Sequence, residues 1–138
     1  PIGKAVARRE GPAATIVATS IMVHKALEAA EALAAEGIDI EVIDLRTLRP
    51  LDKDTIIESV RKTTRLACVY EGVKTLGIGA EISAMIAESE AFDYLDAPIL
   101  RLGGAESPIP YNPALEKAAV PQVPGIVEGL RNLVKGRT

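Results

Sequence analysis

Apolar and polar positions follow two periods along this chain, and the switches between them mark its elements. Ala14 to Ser20, ATIVATS, is a short β-branched run suited to a buried strand. The next stretch, IMVHKALEAAEALAAEG, places Val23, Ala26, Leu27, Ala30, Leu33 and Ala34 on one helical face, with Ser20 as the expected N-cap and Gly37 as the stop. Ile38 to Leu45 reads as a second strand, Arg49 and Pro50 as a turn, and Asp52 as the opening of the helix DKDTIIESVRKT. Arg65 to Tyr70, RLACVY, is almost entirely apolar, which predicts a central strand covered on both faces. A glycine-containing loop, EGVKTLGIG, precedes the helix AEISAMIAESEAF, and Pro98 to Leu102 forms the next strand. Gly103 to Gly125 carries five prolines and three glycines and is expected to cross irregularly before a last helix, GIVEGLRNLVKG, that follows Pro124. KAVARRE, near the start, alternates weakly and should add an edge strand. Strands that alternate with helices predict an α/β fold with a mostly parallel sheet between helical layers.

The chain has 138 residues, enough for one domain: an edge segment over residues 1–13 and a core over 14–138. Hydrophobic residues make up 48% of it, with one Phe, three Tyr and no Trp, so the core is aliphatic and base stacking is not expected. Sixteen Lys and Arg against nineteen Asp and Glu give a net charge of -3 without a basic stripe, which argues against nucleic acid as a partner. No apolar run is long enough for a membrane span, and PIGKAVARREG has no signal-peptide core, so a soluble chain is expected. A single cysteine, Cys68, excludes an internal disulfide and makes the cytoplasm the expected compartment. A start at Pro1 rather than Met suggests a processed chain or a piece of something longer.

The inventory of reactive groups is thin. His24, the only histidine, falls beside Glu28 and Glu31 on the polar side of its helix, the expected place for a solvated side chain. Cys68 lies in an apolar strand with no histidine to activate it. Gly77 to Glu81, GIGAE, opens a helix after a strand, where backbone N–H groups can hold a phosphate, but the third glycine of a dinucleotide fingerprint is replaced by Ile82. Glycines that let the helix pack close to the sheet are the preferred reading. Glu71 and Gly72 stand at the carboxyl end of RLACVY, the edge where open α/β sheets bind ligands. Glu71 is therefore the best-placed acid, although a lone carboxylate suits a loop hydrogen bond or an interface better than a reaction. No nucleophile set, metal cluster or acid pair can be assembled, and the chemistry alone points to a domain that performs none.

GKAVARREG, VHKALEAAEALAAEGIDIEVIDLRTLRPLD, EGVKTLGIGAEI, AFDYLDAPILRLGGAESPIPY and NPALEKAAVPQVPGIVEGL follow one another in this order. With these strings the chain from Gly3 to Val134 resembles the C-terminal domain of the beta subunit of thiamine-diphosphate-dependent 2-oxo acid dehydrogenases, the pyruvate, branched-chain and acetoin members. The most specific strings are those from Glu41 to Asp52 and from Leu95 to Tyr111, at which transketolase and deoxyxylulose-phosphate synthase share the fold but differ.

The resemblance implies a three-layer α/β/α sandwich, transketolase C-terminal-domain-like, whose five-stranded, mostly parallel sheet has one antiparallel edge strand. It implies a role in oxidative decarboxylation of a 2-oxo acid, pyruvate first, with acyl transfer to lipoyl groups by a complex that uses thiamine diphosphate and magnesium. In that family a preceding pyrimidine-binding domain carries the activating glutamate and a catalytic histidine, and the alpha subunit carries the Gly-Asp-Gly motif. No such string occurs here, so this piece is expected to be catalytically inactive alone and to bind neither cofactor nor metal. Expected partners are the alpha subunit and a second beta subunit in an alpha2-beta2 assembly, and the basic subunit-binding domain of the acyltransferase core. The matching acid of the LDAP string is Asp96, with Glu71 as a second partner-binding candidate. The compartment would be the mitochondrial matrix in a eukaryote.

Asp96 precedes Ala97 and Pro98, so an exposed connection is expected there, the alternative being a turn-forming aspartate bonded to its own backbone. The chain departs from the family pattern at Glu106, usually Asp, and at Gly125, where an Asp often starts the last helix; losing that cap should cost about 1 kcal/mol or less. Two other readings stay open: a stand-alone α/β module that holds a small anion on the loop Glu71 to Gly79, and the C-terminal domain of a transketolase-type enzyme.

Overall fold

The computed structural model describes residues 1–106 and 112–136. Five strands, β1 (Val6–Arg9), β2 (Ala14–Ala18), β3 (Ile40–Asp44), β4 (Leu66–Val73) and β5 (Leu100–Gly104), form one sheet in the order β1-β3-β2-β4-β5. Only β1 runs antiparallel, pairing Val6 with Asp44 at the edge; the others are parallel, with Ala14 opposite Ile40, Thr15 opposite Leu66 and Ala67 opposite Leu100. The expected three-layer architecture and antiparallel edge are therefore present.

Helices α1 (Ile21–Ala34) and α5 (Val123–Lys135) cover one face, and α2 (Lys53–Thr63) and α3 (Ile78–Ala87) the other. Alternation along the strands divides the core between them. Ile16, Ala18, Val42 and Val69 meet α1 and α5, whereas Val17, Ile43, Cys68 and Tyr70 meet α2 and α3. On α1 the buried stripe is Met22, Val23, Ala26, Ala29, Ala30 and Leu33, mostly small side chains that allow a close approach. Thr15 anchors a polar network inside the core. Its hydroxyl lies 2.6 Å from Ser59 Oγ and 2.7 Å from Thr63 Oγ1, and Ser59 donates to the buried Glu41 at 2.6 Å. Lys62 completes the chain on the other Glu41 oxygen. Each hydroxyl of this network thus finds a partner, and the network pins α2 to β2 and β3.

Several boundaries differ from the sequence expectation. Ser20 occupies the N-cap position of α1 with φ 53° but makes no capping hydrogen bond, whereas Asp52 caps α2 by accepting from Thr55 N at 3.2 Å. Gly37, at φ 80°, ends the first helix: its N–H reaches Ala34 O and that of Ile38 reaches Leu33 O, both at 3.0 Å. β4 continues through Val73, so Glu71 and Gly72 belong to the strand rather than the loop. The helix after it stops at Ala87, and Glu90–Tyr94 forms a separate 3-10 turn capped by Ser89. Within the expected irregular crossing, Pro113–Ala119 folds as the short helix α4, with Asn112 accepting from Ala114 N at 2.9 Å; residues 107–111 of that crossing lie outside the described residues. The last helix starts at Val123 and takes Pro124 into its first turn, where a missing N–H costs nothing. Gly125 is therefore inside the helix and not at its cap.

Candidate functional site

The parallel strands deliver two distinct edges. At the carboxyl edge, β4 brings Tyr70 beneath the first turn of α3 and turns Glu71 toward α1 on the other face. Tyr70 is buried, and a Cβ on Gly79 would stand 2.4 Å from its Cε1, while one on Gly77 would stand 2.3 Å from Val73 O. The ring thus fills the space under the helix start that an anion would need, and the two glycines are required by the close approach of α3 to β4. Burial pushes the Tyr70 phenol up, against the pull of the nearby Arg101, and its hydroxyl is the buried side-chain atom without a hydrogen-bond partner among the described residues. The carboxylates of this edge are spread out. Glu106 accepts from Thr75 N at 3.1 Å and from Thr75 Oγ1 at 2.9 Å, strapping the 74–77 loop, while Arg101 donates to Lys74 O at 2.9 Å. Glu71 is half-buried and lines an open depression of about 460 Å³ with Ile21, Lys25 and Lys117; Lys25 is engaged by Gln122 Oε1 at 3.0 Å.

Asp96 lies at the opposite edge, ahead of β5. It is exposed, as expected, but it does not bond its own backbone. Its N–H donates to Thr64 O at 2.8 Å, and its Oδ2 accepts from Thr64 Oγ1 at 2.7 Å, which ties the connection before β5 to the left-handed end of α2. Phe92 and Tyr94 beside it are 56% and 41% exposed, and Arg61 sits over the Tyr94 ring at 5.2 Å while pairing with Glu90 at 3.2 Å. The two partner-binding candidates, Glu71 and Asp96, are consequently brought to opposite ends of the sheet.

His24 and Cys68 lie where the residues suggested. His24 is exposed on α1. Cys68 is 1% exposed, and burial pushes its thiol up to about 12, so it carries no thiolate at neutral pH. Among the described residues, no three of His, Cys, Asp and Glu converge as a metal site. What the sequence did not reveal is the contribution of non-glycine residues in the left-handed region: Ser20, Arg46, Thr64 and Leu76 all have φ between 53° and 64°. Among the described residues Leu76, 97% exposed, is the most exposed large apolar side chain, and nothing in its neighbours announces this.

Three comparisons give this geometry a context. Residues 3–126 match the family model described as transketolase, C-terminal domain. The chain is 53% identical over 98% of its length to the mitochondrial pyruvate dehydrogenase E1 component subunit beta of Dictyostelium discoideum, of which it spans 38%. It is 56% identical over 92% of its length to the subunit beta-1 of Arabidopsis thaliana and 49% identical over 95% to the subunit beta of Rhizobium meliloti, spanning 35% and 28% of these. It therefore spans well under half the length of these relatives. Among solved structures, a split-gene transketolase described as an inactive beta4 tetramer superposes with a TM-score of 0.83 at 28% identity, covering 99% of this chain and 43% of that one. A Pichia stipitis transketolase shares the fold at a TM-score of 0.62 and 19% identity, covering 97% of this chain and 18% of its own.

Proposed function

This chain belongs to the transketolase C-terminal domain family, and from that premise we propose that it is the C-terminal assembly and docking domain of a pyruvate dehydrogenase beta subunit. The observation that carries the reading is the identity of about half of all residues to such subunits over nearly the whole chain. In this reading the complete enzyme decarboxylates pyruvate oxidatively and passes the acetyl group to lipoyl groups. This domain contributes surfaces, not reacting groups.

Thiamine diphosphate supplies the carbanion chemistry of such an enzyme, with magnesium holding its diphosphate. The donors of this chain do not fit that pair. Tyr70 fills the space beneath the α3 start, and Glu106 is committed to Thr75, so no step is routed through this domain. The cofactor belongs, in this proposal, to the pyrimidine-binding domain and the alpha subunit. The described helices include none long and apolar enough to cross a membrane. In this proposal the compartment is the mitochondrial matrix in a eukaryotic cell, which the mitochondrial relatives favour, and the cytoplasm in a bacterial one.

A domain exchange tests the reading. This chain, placed over the matching segment of a full-length pyruvate dehydrogenase beta subunit, should support an alpha2-beta2 assembly with activity. The chain alone, titrated with thiamine diphosphate and magnesium in a calorimeter, should give no saturable heat. Micromolar binding, or an exchanged subunit that folds and fails to assemble, would count against it.

A further inference from the structure

Helix α2 ends on Thr64, at φ 64° and ψ 7°, with its N–H donating to Val60 O at 2.8 Å. Glycine usually holds such a left-handed helix end, because it has no Cβ to crowd the backbone, and a β-branched residue there is an outlier. The bond to Val60 uses only the main chain, so a glycine would make it as well. The helix end alone thus gives no reason for a threonine.

The side chain supplies one. Thr64 Oγ1 donates to Asp96 Oδ2 at 2.7 Å, and Asp96 N donates to Thr64 O at 2.8 Å, so two residues far apart in sequence exchange a pair of bonds. The main-chain bond by itself ties the connection before β5 to α2; the hydroxyl adds a fixed orientation of the carboxylate. Thr63, one residue earlier, is buried with its Oγ1 2.7 Å from Thr15 Oγ1, so Thr64 is anchored from the core and reaches outward. The cations next to it in sequence are engaged elsewhere: Arg61 with Glu90 at 3.2 Å, Lys62 with Glu41, and Arg65 Nη1 with Ala13 O at 3.3 Å. Asp96 is exposed, and among the described residues it forms no salt bridge. Its charge is therefore held in place and left uncompensated.

We propose that Thr64 is a positioning residue for Asp96: its hydroxyl holds one carboxylate oxygen and so presents the other to a cationic group of a docked protein. This rests on the docking role proposed above and adds to it the residue that orients the acid. A side chain fixed before the encounter loses less freedom on binding, and a neutral donor leaves the carboxylate charge in place. The left-handed threonine thus serves the docking surface and not the helix end.

The test uses the full-length beta subunit carrying this domain, assembled with its alpha subunit, and measures its affinity for the basic subunit-binding domain by calorimetry. Thr64→Val keeps the shape and removes the donor. It should weaken binding by about 3- to 10-fold and keep the salt dependence of the parent, because the Asp96 charge stays. Thr64→Gly should weaken binding to the same degree without lowering the melting temperature, since it removes the backbone strain. Thr64→Ser, which retains the hydroxyl, should bind as the parent does. In an Asp96→Ala background, Thr64→Val should cause no further loss, because its effect runs through Asp96. Parent affinity in the Val and Gly variants, a Ser variant as weak as Val, or a further loss in the Asp96→Ala background overturns the inference. A parent assembly that does not bind the subunit-binding domain overturns the docking reading itself, so the two failures are distinct.

Discussion

Asp52 shows how much one side chain can carry in a domain without evident chemistry. It caps α2, accepts from Ala5 N at 2.9 Å and from Thr55 Oγ1 at 2.7 Å, and so joins the N-terminal segment to the helix start. Burial pushes its carboxyl up, but the donors of Ala5 and Thr55 outweigh this and hold it below the usual range. A carboxyl with a lowered folded-state pKa adds stability above its unfolded value, about 3.9, and loses it as pH falls through the folded value. Asp52→Asn should therefore cost about 1 kcal/mol at pH 7 and make the loss of stability below about pH 4 shallower, as followed by urea unfolding. Parallel acid limbs for the two proteins would contradict this. The capping role was legible because aspartate before an apolar-periodic segment has a known use; the bond to Ala5 was not, because it spans 47 residues. Gly79 makes the opposite case, a residue whose value is the side chain it lacks. With Tyr70 Cε1 2.4 Å from an ideal Cβ, Gly79→Ala should lower stability by about 1–3 kcal/mol through overpacking, and the smaller ring-free Tyr70→Leu should recover part of that loss in the double variant. Simple additivity in thermal melts would show that the two do not meet.

At the scale of elements, periodicity located the regular segments and missed what interrupts them. The β-branched runs and the alanine-rich stripe of α1 announce themselves because each repeats one period over several residues. α4 did not, because prolines and glycines on either side dominate its composition, although Asn112 and Pro113 form a usable start signal. The end of β4 was hidden for a related reason. Glu71 and Gly72 look like loop residues, yet Gly103 and Gly104 let β5 stay close to them, since a Cβ on Gly104 would stand 2.2 Å from Glu71 O and one on Gly103 2.8 Å from Gly72 O. The start of α5 carries a consequence for Gly125. It occupies the first turn, its N-cap Gln122 makes no side-chain capping bond, and a Cβ on Gly125 would meet nothing within 4 Å. The cost of this glycine is therefore helix propensity and not a lost cap. Gly125→Ala should stabilise the domain by about 0.5–1 kcal/mol, with a further few tenths for Gly125→Glu from the helix dipole, measured by urea unfolding at low salt. Destabilisation by alanine would mean that the close approach of α4 or β5 needs this position bare.

For the molecule as a whole, the sheet order and the topology decide which residues can act together. Asp96 and Glu71 come from segments the sequence could mark only as connections, and parallel pairing of β4 with β5 sends one to the amino edge and the other to the carboxyl edge. That separation was legible once the sheet was taken as parallel, since Glu71 closes one strand and Asp96 precedes the next; the pairing of those two strands as neighbours was not. It also sharpens the docking question. Phe92, Tyr94 and Asp93 surround Asp96 with exposed aromatic and acidic surface, the composition of an interface core and rim, whereas Glu71 sits beside Lys25 and Lys117. A basic subunit-binding domain, the proposed partner, suits the acidic surface at Asp96 better than the edge at Glu71, which lies beside two lysines. Its bond to Thr64 Oγ1 supplies a competing structural role, and chemistry can separate the two. An asparagine keeps an oxygen that accepts from Thr64 but loses the charge; an alanine loses both. Asp96→Asn, in the full assembly, should leave thermal stability unchanged and weaken the subunit-binding domain by about 10-fold at low salt, with the difference shrinking as salt rises. Asp96→Ala should weaken binding to the same degree and lower the melting temperature as well. Equal affinity of the Asn variant and the parent at low salt would remove Asp96 from the docking surface, and a melting loss in the Ala variant would then leave the Thr64 tie as its whole function.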